Sequence, residues 1–285
     1  MELNTKMSIR TKHHLDVQMA WWTMQGLGEN GKEWDDASKI AAIHNAGFTG
    51  ICGFLPEEEK AQWWQQALSD HQLHFSVNAY PSSLDDFKGF LEKVHAYEGK
   101  VSFINAQVMT PFLVGDQAGE LLQSMHDAAD EAGVPVYIET HRGTITQDLL
   151  RTVSYVNCHN NLELTIDFSH YVLAGEMKTI SAEAETLLQV LLNRTASIHG
   201  RISNGEQIQV DVSHPNNDDF LRWWTEGMRK WRRTATEGSY FPFVCELGPP
   251  PYALIGQSEE EEKAQRWEQS LVMASLARQA WEKSI

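Results

Sequence analysis

Val134-Pro135-Val136-Tyr137-Ile138-Glu139-Thr140-His141-Arg142-Gly143 is an apolar run that breaks abruptly into a carboxylate, an imidazole and a guanidinium. Strand alternation puts Glu139 and His141 on one face, two residues apart. Buried charges are costly unless they are paired or bound to a metal. A core strand ending this way is therefore poor for stability and reads as part of a site. Three later stretches end alike: Leu162 to Asp167, Ala196 to His199 and Phe241 to Glu246.

Outward from this stretch the chain alternates regularly. Strands are predicted over 15–21, 48–55, 73–80, 101–108, 134–141, 162–167, 195–201 and 240–247. Helices are predicted over 34–46, 57–70, 84–97, 117–132, 146–156, 181–192, 218–234 and from 258 to about 281. Ser83 fits an N-cap, Gly133 a helix end, and Ser258 with Glu261 a capping box. Strict strand–helix alternation implies a parallel sheet with right-handed crossovers. Eight such units in 285 residues fit a single-domain α/β fold, the closed (β/α)8 TIM barrel. A doubly wound open sheet is the competitor, but no Gly-rich phosphate loop follows any strand. Two loops stand out: 202–215, with a hairpin signal at Asn204-Gly205 ahead of alternating Ile208 and Val210, and the stiff Gly248 to Tyr252.

Composition bounds the function. The net charge of −16 argues against a nucleic-acid partner and an anionic membrane surface. Cys52, Cys158 and Cys245 are an odd number without motif spacing, which fits a reducing cytoplasm. The first residues have no apolar core of a secretory signal, and no apolar run reaches bilayer length. Residues 1–14, including His13-His14, read as a flexible segment, and 15–285 as the barrel domain.

In a closed barrel all strand C-termini open on one face. Glu139, Asp167, His199 and Glu246 end the fifth to eighth strands and so line one arc of that mouth. Three carboxylates and an imidazole suit Mn2+, Mg2+ or Co2+, with Zn2+ also compatible. Without a cation the carboxylates would repel one another. Each also has a plainer reading: Asp167 as a turn or cap, Glu246 as an ion pair with Arg201, His199 as a core histidine. It is their order on successive strands that favours the site.

These residues resemble the xylose isomerase-like family of TIM barrels, which spans sugar isomerases, ketose 3-epimerases, inosose dehydratases and endonuclease IV. Glu139 in "IETH", Asp167 with His170 in "DFSH", His199 with Arg201 in "HGR" and Glu246 in "CELG" are similar to the family's metal and substrate elements. The resemblance implies a divalent-metal-dependent isomerase or epimerase that abstracts a proton next to a carbonyl through a metal-bound enediolate. Glu139 and Glu246 would then move the proton, while His170 and Arg201 bind hydroxyls or the developing oxyanion. The implied substrate is a small sugar or keto-sugar.

His141 opens an alternative. As an imidazole base it would support a lyase or dehydratase acting by β-elimination on a keto-sugar or keto-glycoside; otherwise it orients Glu139. A nuclease branch would need further ligands such as Asp211 and His214, while His44, His71 and His74 are expected away from the mouth. A non-catalytic sugar-binding barrel is the remaining class. Trp21 of the Trp21-Trp22 pair is expected to stack on a sugar ring, and Asn78, Asn105 and Gln107 to bind hydroxyls. The other tryptophan pairs are expected in the core or at a subunit contact, and a homo-oligomer stays open.

Overall fold

The computed structural model describes residues 13–29, 31–97, 99–253 and 258–285. Eight parallel strands close a barrel: β1 (His14–Ala20), β2 (Gly50–Gly53), β3 (His74–Ala79), β4 (Ile104–Ala106), β5 (Val136–Glu139), β6 (Leu164–Ile166), β7 (Thr195–Gly200) and β8 (Tyr240–Cys245). Each strand pairs with its sequence neighbours, and β1 closes on β8 from His14 opposite Tyr240 to Met19 opposite Cys245. The outer ring is α1 (Asp36–Asn45), α2 (Glu58–Asp70), α3 (Leu84–Ala96), α4 (Gly115–Ala132), α5 (Leu149–Cys158), α6 (Ser169–Ala174), α7 (Ala182–Leu192), α8 (Asn217–Thr234) and α9 (Glu259–Lys283). No helix among the described residues is long and apolar enough to cross a membrane.

The helix ends follow from local chemistry. Asp35, Ser83, Asp148, Ser181 and Ser258 each accept a hydrogen bond from the backbone N–H three residues on. Each satisfies a donor that an unturned helix end leaves orphaned. Gly133 ends α4 at φ 72°, a left-handed conformation that glycine adopts without strain. On α8, Phe220, Trp223, Trp224 and Met228 share the buried side, at the spacing of an amphipathic helix. Trp223 also donates to Glu185 at 3.0 Å, so its indole N–H is not stranded.

Three details differ from the sequence reading. Residues 1–12 lie outside those described, but His14 is a member of β1 and His13 packs edge-on against Trp231, 5.3 Å between ring centres. The 202–215 segment forms no hairpin strands. Asn204 accepts from the N–H groups of Glu206 and Gln207 instead, turning the chain while Ile208 and Val210 are buried. The short helix α6 and a two-stranded ribbon pairing Gly28 with Glu33 and Glu29 with Lys32 were not anticipated.

Polar side chains occupy the barrel interior. At its N-terminal end Asp16, 2% exposed, accepts from Thr49 Oγ1 (2.6 Å) and Gln18 Nε2 (2.7 Å), and lies 3.0 Å from His74 Nδ1. Gln18 in turn accepts from Ser76 at 2.5 Å. The hydrogen bond to Asp16 raises the His74 pKa above its usual value; partial burial and Lys100 oppose the rise. A raised folded-state pKa adds stability below the unfolded value near 6.5 and loses it as pH rises through the folded value. Denaturant unfolding of the wild type and Asp16→Asn should therefore show a larger gap at pH 5.5 than at pH 8.5. His74 is more than a third exposed, so the pH-dependent part should stay below about 1 kcal/mol. An equal gap at both pH values would remove the ion pair from the stability of the barrel floor.

Candidate metal centre and active site

Glu139 ends β5 fully buried. Its Oε2 accepts from Asn105 Nδ2 at 2.6 Å and Gln107 Nε2 at 2.9 Å, both from the end of β4. Asn105 is held in turn by Asn78 Oδ1 at 2.9 Å. These amides fix the carboxylate and leave Oε1 turned to the centre. His199 Nδ1 lies 3.6 Å from that Oε1 and 2.8 Å from Glu246 Oε2. Yet Glu139 Oε1 and both His199 nitrogens are buried without a partner in hydrogen-bond geometry. Close, misaligned and unsatisfied donor atoms are costly unless a further body binds them. Two carboxylates and an imidazole form a ligand set suited to a divalent cation, and the ligand atoms lie within 4.8 Å of one another. The residues fit the metal that the sequence implied.

Asp167 is placed differently. The sequence reading made it a fourth ligand; the gathered ligand atoms come from Glu139, His199 and Glu246 without it. Its Oδ1 accepts from the Ser169 backbone N–H (3.0 Å) and hydroxyl (2.5 Å), and its Oδ2 faces Arg201 Nη1 at 3.0 Å. Arg201, 1% exposed, reaches Glu246 Oε2 with Nη2 at 2.9 Å and donates from Nε to the Glu246 carbonyl at 3.1 Å. The guanidinium fork thus bridges two carboxylates, geometry that an ammonium lacks. The plainer reading of Glu246 as an Arg201 ion pair is realised here alongside its place at the centre.

Beyond the strand end, His141 packs on His170, with ring centres 3.7 Å apart. His141 Nδ1 lies 2.6 Å from the Arg142 carbonyl oxygen. A carbonyl only accepts, so Nδ1 carries the proton and neutral His141 keeps its lone pair on Nε2. His170 is fully buried and faces a guanidinium at each nitrogen: Arg142 Nη1 at 3.0 Å from Nδ1 and Arg201 Nη1 at 3.2 Å from Nε2. It backs the two arginines instead of opening to the mouth. Glu139, His141 and His170 also cluster closely enough for a metal. The two guanidiniums on His170 make that grouping a poorer cation site.

Trp21 is not at the mouth. Its ring packs edge-on against Trp64 of α2, 4.7 Å between centres. Trp22 is the mouth residue, 5.2 Å from Tyr252 and 5.8 Å from the Arg201 guanidinium carbon. The strand ends one residue earlier than predicted, and residues Trp21–Met24 form a 3-10 helix to which strand alternation does not apply. Gly248 makes room for Trp22, since a Cβ there would lie 2.2 Å from its ring. Gln107 and Asn78 belong to the support of Glu139. Asp211 accepts from Ser213 and Gln269, His214 accepts from the Asn216 N–H, and His74 pairs at the barrel floor. A cavity of about 610 Å3 between α2 and α3 touches this region only at Asn78 and Tyr80.

Charge is tightly coupled in the centre. Burial works against ionisation of Glu139, but His199 and the Asn105 hydrogen bond outweigh it and hold the carboxyl well below the usual range. Glu246 is likewise lowered, burial being overcome by Arg201 and His199. Burial pushes Asp167 up to about 7, with Arg201 opposing. His199 is raised well above its usual value, because Glu246 and Glu139 outweigh burial. Burial, helped by Arg201, lowers His141, and burial lowers His170 still further. The space between Glu139 and Glu246 therefore calls for positive charge, while the neighbouring imidazoles stay neutral.

No protein-family model and no curated protein matches the chain. Solved structures do. A D-psicose 3-epimerase with D-tagatose from Clostridium cellulolyticum H10 is 11% identical over 94% of this chain and 99% of its own, with a TM-score of 0.60. A probable 3-DHS dehydratase from Bacillus anthracis is 15% identical over 89% and 98%, at 0.55. An AP endonuclease, family 2, from Brucella melitensis is 15% identical over 87% and 95%, at 0.57. At such identities the likeness is one of fold: the chain shares with these structures a closed (β/α)8 TIM barrel.

Proposed function

We propose that the chain is a divalent-metal-dependent sugar isomerase or epimerase that removes and returns a proton next to the carbonyl of a small sugar. The observation that carries this reading is the convergence of buried ligand atoms of Glu139, His199 and Glu246 within 4.8 Å, with Glu139 Oε1 and the His199 nitrogens lacking a hydrogen-bond partner. A cation held there would polarise the substrate carbonyl and acidify the adjacent C–H. Asn105 and Gln107 keep Glu139 oriented, and Arg201 keeps Glu246 in place. The D-tagatose bound to the similar epimerase supports a ketose-sized substrate.

Base assignment follows from the same contacts. Glu139 and Glu246 are both held in the carboxylate form by cationic neighbours, which weakens them as bases. His141, with Nδ1 committed to the Arg142 carbonyl, offers Nε2 as the acceptor for the substrate proton. Glu246, from a different strand, serves as the second group that epimerisation requires. The same His141 favours a second reading, β-elimination. There the C–H electron pair becomes the new double bond and the β C–O bond breaks, releasing water or an alcohol.

Incubation of Mn2+-loaded protein with ketoses and keto-glycosides in D2O separates these outcomes. Isomerisation or epimerisation by solvent exchange places deuterium on the substrate carbon, read by NMR. Elimination releases the leaving group and leaves an absorbing enone. Absence of both, with the metal bound, would sink the enzymatic reading and leave a sugar-binding barrel.

A further inference from the structure

Resting on the proposed active site, we infer that Arg142 recognises an acidic group on the substrate, a carboxylate or a phosphate. Arg142 follows His141 directly and is half-buried in the mouth. Its guanidinium carbon lies 5.0 Å from the centre of the Tyr252 ring. Its hydrogen-bonding contact is the ring nitrogen of buried His170 at 3.0 Å. No carboxylate pairs with it among the described residues, whereas Arg201 is committed to Asp167, Glu246 and the Glu246 carbonyl. A guanidinium presents five N–H donors in a planar fork. One donor is used here, and burying the rest without an anion is costly.

Two neighbours keep this fork poised. Tyr252 lies against both guanidiniums, Arg142 at 5.0 Å and Arg201 at 4.9 Å from its ring centre. His170 Nδ1 lies 3.0 Å from Arg142 Nη1, and a neutral imidazole brings no negative charge to balance the guanidinium. The charge balance agrees. Glu139, Asp167 and Glu246 against Arg142, Arg201 and one divalent cation leave a single positive charge, with His199 neutral as a ligand. An acidic substrate group cancels it. A neutral sugar would leave Arg142 without a counter-ion. The acidic group binds beside His141, on the side of the site away from Glu139's amide support.

The test uses malonate and inorganic phosphate as probes of the two anion types. Each is titrated calorimetrically into Mg2+-loaded wild type, Arg142→Gln and Arg142→Lys. One of the two anions should bind at a single site, with affinity about tenfold or more weaker in Arg142→Gln. Arg142→Lys should fall between them, since it keeps charge and loses the fork. Preference for malonate assigns a carboxylate, and preference for phosphate a phosphoryl group. Binding of neither anion, or equal binding by wild type and Arg142→Gln, overturns the inference. Should Arg142→Gln be too unstable to assay, equal binding by wild type and Arg142→Lys overturns it too. Deuterium exchange into neutral ketoses at the same KM in wild type and Arg142→Gln would sink the inference and leave the isomerase reading standing. Arg142-dependent anion binding with no exchange into any ketose would do the reverse.

Discussion

Glu246→Gln should abolish turnover and release the metal. The substitution keeps the volume and removes the negative charge that Arg201 and His199 both face at under 3 Å. Both contacts converge on Oε2, so an amide oxygen there could still accept from them but would carry no negative charge to balance Arg201 or to hold a cation. Losing a contact that merely supports a ligand costs about 10–100-fold in metal affinity, so loss of the ligand itself should cost at least that. Turnover should fall about 1000-fold or more, as electrostatic stabilisation at the reacting oxygen is lost. Metal content after dialysis, calorimetric Mn2+ titration and deuterium exchange measure the two effects separately. A variant that keeps its metal and loses turnover would make Glu246 a proton-transfer group and no ligand. One that keeps both would take Glu246 out of the centre.

The barrel was legible because its signal is repeated. Eight apolar runs, each followed by a capped amphipathic helix, leave one closed parallel topology, and errors of two or three residues at an end change nothing. The order Glu139, Asp167, His199, Glu246 was legible for the same reason, since strand ends share one face. What sequence left open was how those groups divide among partners. Whether Asp167 turns to a cation or to Arg201 depends on the reach of a guanidinium across neighbouring strands, and no periodicity encodes that. Trp21 was preferred to Trp22 because strand alternation was carried into Trp21, where the chain already turns into a 3-10 helix. Asn105 was read as a sugar ligand and is the shortest support of Glu139. Arg142 stood out in the opening stretch and Tyr252 in the proline-rich loop, but nothing in their spacing brings the two together. The helix α6 was hidden because it is only six residues long and begins inside the stretch read as a metal motif.

Arg201→Ala should be among the most destabilising single changes in the chain. Arg201 is buried and holds two buried carboxylates, so its removal leaves Asp167 and Glu246 without their counter-ion. Breaking one side of a buried ion pair costs about 3–5 kcal/mol. The contrast is Arg222, which pairs with Glu185 and Asp219 on the surface at 47% exposure. Solvent screens that pair, and Arg222→Ala should cost less than about 1 kcal/mol even though its bidentate geometry is good. The Arg201 penalty should also depend on metal. In EDTA the freed carboxylates have only His199 to balance them; with saturating Mn2+ the cation takes over part of Arg201's role, and Asp167 gains the freedom to turn toward it. Urea unfolding of both variants, with and without Mn2+, reads the difference. If Arg201→Ala costs no more than Arg222→Ala in EDTA, the guanidinium does not hold Asp167. The carboxylate then belongs with the metal ligands, as the order of the strands alone had suggested.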